Sequence, residues 1–327
     1  MVYTNYSNIS LPMAVWLAAD HGYDLKFDPR VYSATTLLQP VRAVVLGRQV
    51  LEKQADGAVD ISDLVPAAVG TAVHVATEHA WLYKRDQAMM DLGIASHIVD
   101  RIVMNAEHED DPDAIYIYME QRSMKEVDGV YISGKFDFVY EGRVKDIKTT
   151  KTYNWIHGGN DEKYAQQASI YRWLNSDIIT DDYCDIEFLF TDWSPLKALA
   201  DKKYPQKRVM TRTLPLMSLT DTEHFIKTKL AKIKAITGLN QANMPKCTPD
   251  ELWMQPMKWA YYKNARSLVR ATKLFNTEAE AITRNIADGS KGKIVKRISE
   301  PKFCNYCDAR PICMQAANYI NDGILKL

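Results

Sequence analysis

Residues 127–150 read VDGVYISGKFDFVYEGRVKDIKTT, and their alternation decides the fold. Val130 to Tyr140 is β-branched and aromatic around Gly134, Glu141-Gly142 is a tight-turn pair, and Arg143 to Thr150 resumes extended character. The stretch is therefore read as a β-hairpin. With a two-residue loop at Glu141-Gly142, Tyr140 faces Arg143, and counting back sets Asp137 opposite Asp146. Side chains two apart on a strand share a face, so Lys148 joins the two carboxylates. Opposed like charges repel across a sheet. A divalent cation with oxygen ligands would compensate them, and a solvated sheet face is the other reading that the spacing leaves open.

Asp128-Gly129 is a second two-residue turn, and counting outward from it sets Glu120 opposite Asp137. Three acids and a lysine then line one face of a three-stranded meander. Phe136, Phe138, Tyr140 and Ile147 point into the opposite layer.

The remainder of the chain bounds the class. Its 327 residues can bury a large core in one domain or two. With 41 basic and 41 acidic residues the formal charge is +0, so a polyanion would be attracted by local clusters and not by the molecule as a whole. No apolar run approaches the length of a membrane span, and MVYTNYSNIS lacks the basic and apolar segments of a secretion signal. A cytoplasmic protein without a membrane partner is expected.

Upstream of the hairpins, Pro12 to His21 is amphipathic, Ser33 begins a capped segment interrupted by Pro40, and Glu52 to Asp63 is a spacer. Gly70 to Lys84 has helix character and places His74 and Glu78 on one face; His74 is open to a packing or a ligating role. A helix is expected over Asp86 to Asn105, then an acidic loop. Downstream, Lys151 to Lys163 reads as a polar loop and Asp161 to Asn175 as a helix, with Tyr164, Gln167, Ala168 and Tyr171 on one face. Strands are expected over Asp185 to Thr191, Arg208 to Pro215, Leu268 to Phe275 and Lys293 to Ile298. Helix starts are read at Thr220 and Thr248, and a helix from Thr277 to Asp288. Lys227, Lys229, Lys232 and Lys234 divide between two sides of their helix, as a solvated flank or a phosphate-contacting surface. Trp253, Trp259, Tyr261 and Tyr262 with Lys258 and Lys263 suit either base stacking or core packing.

Cys304, Cys307 and Cys313 give C-x2-C-x5-C, three of the four ligands of a tetrahedral site. The fourth comes from Cys247, Cys184 or a non-cysteine group; Cys247, in a loop, is favoured over Cys184, which leads into a buried strand. All-thiolate coordination suits zinc and an iron–sulfur cluster alike.

His74 in GTAVH, Gly134-Lys-Phe-Asp137, Asp146-Ile-Lys148-Thr149 and Gln167-Ala-Ser-Ile-Tyr171 together resemble the PD-(D/E)XK nuclease superfamily, in particular its RecB-like phage-type exonucleases. The resemblance covers roughly Ser33 to Tyr171, and Cys247 to Cys313 is similar to the cluster of iron–sulfur members. It implies an α/β (α+β) fold, a central mixed sheet flanked by helices, with a cluster-stabilised C-terminal region. It also implies an N-terminal helical segment over 1–69, a nuclease core over 70–240 and a cysteine region over 241–327. By the same resemblance His74, Asp137, Asp146 and the Ile147 carbonyl would hold Mg²⁺ or Mn²⁺, Lys148 would activate water, and Gln167 and Tyr171 would position the lysine and substrate. Cys247, Cys304, Cys307 and Cys313 would hold a [4Fe-4S] cluster, with Zn²⁺ as the alternative. Glu120 comes from the register alone. Phe136 stands where the family has proline, and no cysteine precedes Cys184, whereas many iron–sulfur relatives place one ahead of the nuclease motifs. The implied activity is metal-dependent exonucleolytic hydrolysis of DNA with a free end, in recombination, repair or phage DNA processing, alongside a single-strand annealing protein or helicase. A DNA-binding scaffold of the same fold is the alternative.

Overall fold

Both turns of the hairpin region take the backbone their residues suit. Glu141 and Gly142 have φ of 50° and 72°, and Asp128 and Gly129 have 51° and 82°, the paired left-handed conformation that closes two-residue hairpins. The expected register follows, with Tyr140 paired to Arg143 and Val127 to Val130. A computed structural model supplies these details and describes residues 3–19, 27–52 and 59–325.

The single meander expected over this region is divided between two sheets. Val130–Lys135 lies between Arg122–Val127 and Val31–Ser33 in a three-stranded sheet, whereas Phe138–Tyr140 belongs to a six-stranded one. One register runs through both halves, since Arg122 pairs with Lys135 and Met119 with Phe138. At the bend the Glu120 N–H donates to the Asp137 carbonyl at 3.1 Å, and Phe136 N–H to the Gln121 carbonyl at 3.3 Å. Glu120 sits there at φ 52°, a left-handed conformation uncommon outside glycine.

The six-stranded sheet runs Val209–Pro215, Tyr183–Phe190, Arg143–Thr150, Phe138–Tyr140, Ile115–Met119 and Ile102–Met104, with parallel and antiparallel neighbours. Helices and mixed sheets together make the chain α+β. One face of Tyr183–Phe190 buries Cys184, Ile186, Phe188 and Phe190, and Asp185 on the other face is buried as well. Trp155 and Tyr164, from the two helices Thr152–His157 and Asp161–Leu174, set their rings edge-on to Phe188 at 5.6 and 6.0 Å. Elsewhere on the sheet, Trp81 of the Val65–Tyr83 helix meets Phe138 at 4.9 Å within a cluster of Ile102, Ile117 and Met119.

Residue contacts divide the chain into two units, Met1–Leu38 with Ala55–Ala231, and Gln39–Gln54 with Lys232–Leu327. The expected first segment, 1–69, is thus split between them. The Val41–Glu52 helix joins the cysteine-bearing unit because Arg42, 4% exposed, donates to the carbonyls of Gln241 and Met244, and Ala43 packs with Leu252 and Phe303. That unit also contains a three-stranded antiparallel sheet, ordered Lys273–Phe275, Lys258–Tyr262, Lys293–Arg297, and the helix Glu278–Ala287 with a complete Thr277–Glu280 capping box.

Several local expectations give way. Gly93 at φ 82° ends a short helix, Arg85–Asp91, so the long helix over Asp86 to Asn105 does not form and Ile102–Met104 is a strand. The loop over Lys151 to Lys163 contains the Thr152–His157 helix, closed by left-handed Gly158. Ser218, not Thr220, caps Leu219–Ile236 by accepting from Asp221 N–H at 3.0 Å. The Thr248–Glu251 capping bonds form at 2.8 and 3.3 Å, yet Trp253 at φ 55° turns the chain before a helix develops. Only Lys273–Phe275 of the strand expected from Leu268 is extended, and Tyr261 and Tyr262 are core residues, which removes them from base stacking. Among the described residues no helix is long and apolar enough to cross a membrane.

Candidate functional site

The site forms where the hairpin leaves one sheet for the other. Phe136, the in-register partner of Ile147, has already turned away at that point, and the Asp137 carboxylate takes its place: Oδ2 accepts from Ile147 N–H at 2.8 Å. The N–H and C=O of a strand residue leave the same edge, so the Ile147 carbonyl is directed to this edge too. The Val65–Tyr83 and Asp161–Leu174 helices both pack on the Arg143–Thr150 strand. His74 lies two turns before Trp81 on one helix face, and because Trp81 is anchored on Phe138, His74 is brought to the neighbouring Asp137.

Four side chains meet there. His74 Nδ1 is 3.6 Å from Glu120 Oε1 and 3.5 Å from Asp137 Oδ1, and one ligand atom from each of the three lies within 4.8 Å of the others. Lys135 Nζ holds the other Glu120 oxygen at 2.8 Å. One step along the strand, Lys148 Nζ is 2.5 Å from Asp146 Oδ2 and 5.5 Å from the centre of the Tyr164 ring. Asp146 is 3% exposed; the Lys148 ammonium engages Oδ2, while Oδ1 has no hydrogen-bond partner among the described residues. It stands outside the compact His74–Glu120–Asp137 group but close enough for its charge to act on Asp137.

The electrostatics follow from burial and crowding. Burial first, and the Asp146 charge second, push Asp137 up to about 7. The hydrogen bond with Glu120 raises His74, against the effect of its burial. Burial works to raise Glu120, but the His74 and Lys135 hydrogen bonds outweigh it and hold the carboxyl below its ordinary range. Lys148 loses solvation on burial, yet the Asp146 and Asp137 charges more than restore its ammonium form. A half-buried acid pushed up to about 7, beside a histidine and a second acid, is a set of oxygen and nitrogen donors that a divalent cation would relieve by favouring the ionised carboxylate.

The donors open into a cleft of about 510 Å³ that Gln167 and Tyr171 also line. Gln167 Nε2 donates to the Tyr171 hydroxyl at 2.6 Å. Tyr164 of the same helix stands beside Lys148. Gly134 lets this helix approach: a methyl group there would stand 2.7 Å from Leu174 Cδ1 and 2.9 Å from Tyr171 Cδ1. Sequence reasoning missed Lys135 and Tyr164. Alternation could have found Lys135, which lies two residues before Asp137.

In the second unit Cys247, Cys304, Cys307 and Cys313 line one small cavity of about 20 Å³. Cys184 lies apart, buried in its strand. Gln315 fastens the Cys247 loop, accepting from its N–H at 2.8 Å and donating to its carbonyl at 2.9 Å. Burial pushes Cys247 up to about 12 and both Cys304 and Cys307 to about 11. Arg42 and Arg310 also border the cavity. Among the described residues no three of these sulfurs lie mutually within 4.8 Å.

No protein-family model and no curated protein matches the chain. Among solved structures, one described as the crystal structure of SSO0001 is similar at 14% identity and a TM-score of 0.41, covering 69% of this chain and 88% of that one.

Proposed function

We propose that the chain is a metal-dependent deoxyribonuclease with a PD-(D/E)XK core, acting as an exonuclease on DNA with a free end. One observation carries this reading: the bend in the hairpin gathers His74, Glu120 and Asp137 within ligand distance of one another, one residue from an Asp146–Lys148 ion pair, on the wall of an open cleft. His74, Glu120 and Asp137 would hold Mg²⁺ or Mn²⁺, and Asp146 and the Ile147 carbonyl are proposed as further ligands. Such an ion lowers the pKa of an attacking water and offsets charge on the phosphoryl oxygens. Lys148, kept charged by Asp146, orients the water and stabilises the charge that develops on the phosphate. Tyr164 limits where the ammonium can move, and the Gln167–Tyr171 pair offers a polar contact to the substrate backbone.

The cysteine cavity is proposed to hold a [4Fe-4S] cluster. The support is that the four thiols line one cavity, a donor set that suits a cluster, with Zn²⁺ as the alternative. The test of function is incubation of end-labelled linear and circular DNA with Mg²⁺, Mn²⁺ or EDTA. Shortening of linear DNA only, and only with metal, is expected. Binding without cleavage under every condition would replace the enzyme with the scaffold.

A further inference from the structure

The cysteine-bearing unit carries a concentration of charge that the nuclease reading leaves unused. Although the chain is neutral overall, residues 258–276 hold five cations, from Lys258 to Lys273, and residues 289–297 hold four, from Lys291 to Arg297, without an acid in either stretch. These stretches are the three strands of the small sheet and the loops beside them. The acids between them belong to the helix and its cap: Glu280 is held in the capping box, and Asp288 pairs with Arg284 at 3.0 Å. Among the described residues no salt bridge within 4.0 Å engages any of the nine cations, although the charges of Lys258 and Lys263 reach Glu280 and Asp288 and help to lower them.

The register arranges this charge. Lys258 stands directly opposite Arg297, and Tyr262 opposite Lys293. Positions four apart on a strand share a face, so Lys258, Lys293 and Arg297 lie on one side of the sheet, with Lys293 and Arg297 exposed and roughly 13 Å apart along their strand. Arg297 donates to the Tyr262 hydroxyl at 2.5 Å and Lys258 to the Asn276 side chain, so neither cation is neutralised by its protein partner. Two cations directly across a strand pair repel, and a ligand with regularly spaced negative charge removes that cost.

We propose that this sheet face, with the Lys263–Thr272 loop, docks the phosphate backbone of duplex DNA. The charge pattern calls for a polyphosphate, and the choice of DNA rests on the nuclease reading. Docking of this kind is independent of sequence and strongly dependent on salt.

Anisotropy of a labelled blunt duplex, titrated in EDTA across a range of NaCl concentrations, reads binding without any contribution from cleavage. The Lys293→Ala/Arg297→Ala variant is expected to flatten the slope of log affinity against log salt by about 1.8, two phosphate contacts. Between about 50 and 200 mM salt the wild type then loses roughly twelve-fold more affinity than the variant. Lys293→Arg/Arg297→Lys keeps the charge and should restore the wild-type slope; failure to do so would assign the loss to misfolding and overturn the proposal. An unchanged slope would overturn it, as would an equal loss in Lys202→Ala/Lys203→Ala, which removes two exposed lysines of the first unit. Preference for an RNA duplex over the DNA would replace the ligand. If DNA is never cleaved with metal but the slope still flattens, the docking surface stands and the nuclease reading falls.

Discussion

Asp137 should be worth more to the metal-free protein as an amide than as an acid. Its carboxyl titrates near 7 when folded, against 3.8 in the open chain. The folded state therefore binds the extra proton between those two values, and stability falls as pH rises through that window, with the full cost present above 7. At about 1.4 kcal/mol per unit, the ionised side chain costs about 4 kcal/mol at pH 8 and about 2 kcal/mol at pH 5. An amide in its place could not ionise, yet its carbonyl could still accept from Ile147 N–H. Urea denaturation in EDTA should thus show Asp137→Asn more stable than wild type, by an amount that grows between pH 5 and 8. Adding Mn²⁺ should reverse the order at pH 8, since a ligand at a hundred times its Kd stabilises the wild type by about 2.7 kcal/mol and the amide loses a charged ligand. A pH-independent difference, or a less stable Asp137→Asn in EDTA, would refute the account of how burial and Asp146 act on this group.

Lys148→Ala should abolish cleavage and also cost about 3 kcal/mol, because it strands the buried Asp146 charge; Asp146→Asn added to it should recover most of the stability and none of the activity, as measured by denaturation and DNA digestion. Gly134→Ala forces Leu174 and Tyr171 aside and should cost about 1–3 kcal/mol in urea, with slower cleavage as the Gln167–Tyr171 pair shifts. Cys247→Ser should lose iron and sulfide after anaerobic reconstitution, read by elemental analysis, while Cys184→Ser retains both; stoichiometric zinc in the wild type would remove the cluster.

The hairpin was legible because Asp128-Gly129 and Glu141-Gly142 tolerate left-handed backbone and so fix the counting on both sides of Asp137. Counting located Glu120 for the same reason. The break after Lys135 was hidden: its cause is the conformation of Glu120 and the competing pairing of Val31–Ser33, a partner about a hundred residues away. Lys148 was placed by alternation, but its neighbour Tyr164 depends on the approach of the helix over Gly134, which no local pattern reports. Cys247 was placed with the other thiols because its loop could reach them. Arg42 at the same cavity was missed, since nothing near it in sequence speaks of cysteine.

The discontinuous make-up of the cysteine-bearing unit governs when the protein can finish folding. Val41–Glu52 leaves the ribosome early, but Leu252, Phe303 and Ala316, against which Ala43 packs, emerge more than two hundred residues later. Through most of synthesis that helix has its apolar face uncovered, a state in which nascent chains are prone to aggregate. Truncation before Phe303 would make this exposure permanent and would be felt at residue 43 as much as at the cut.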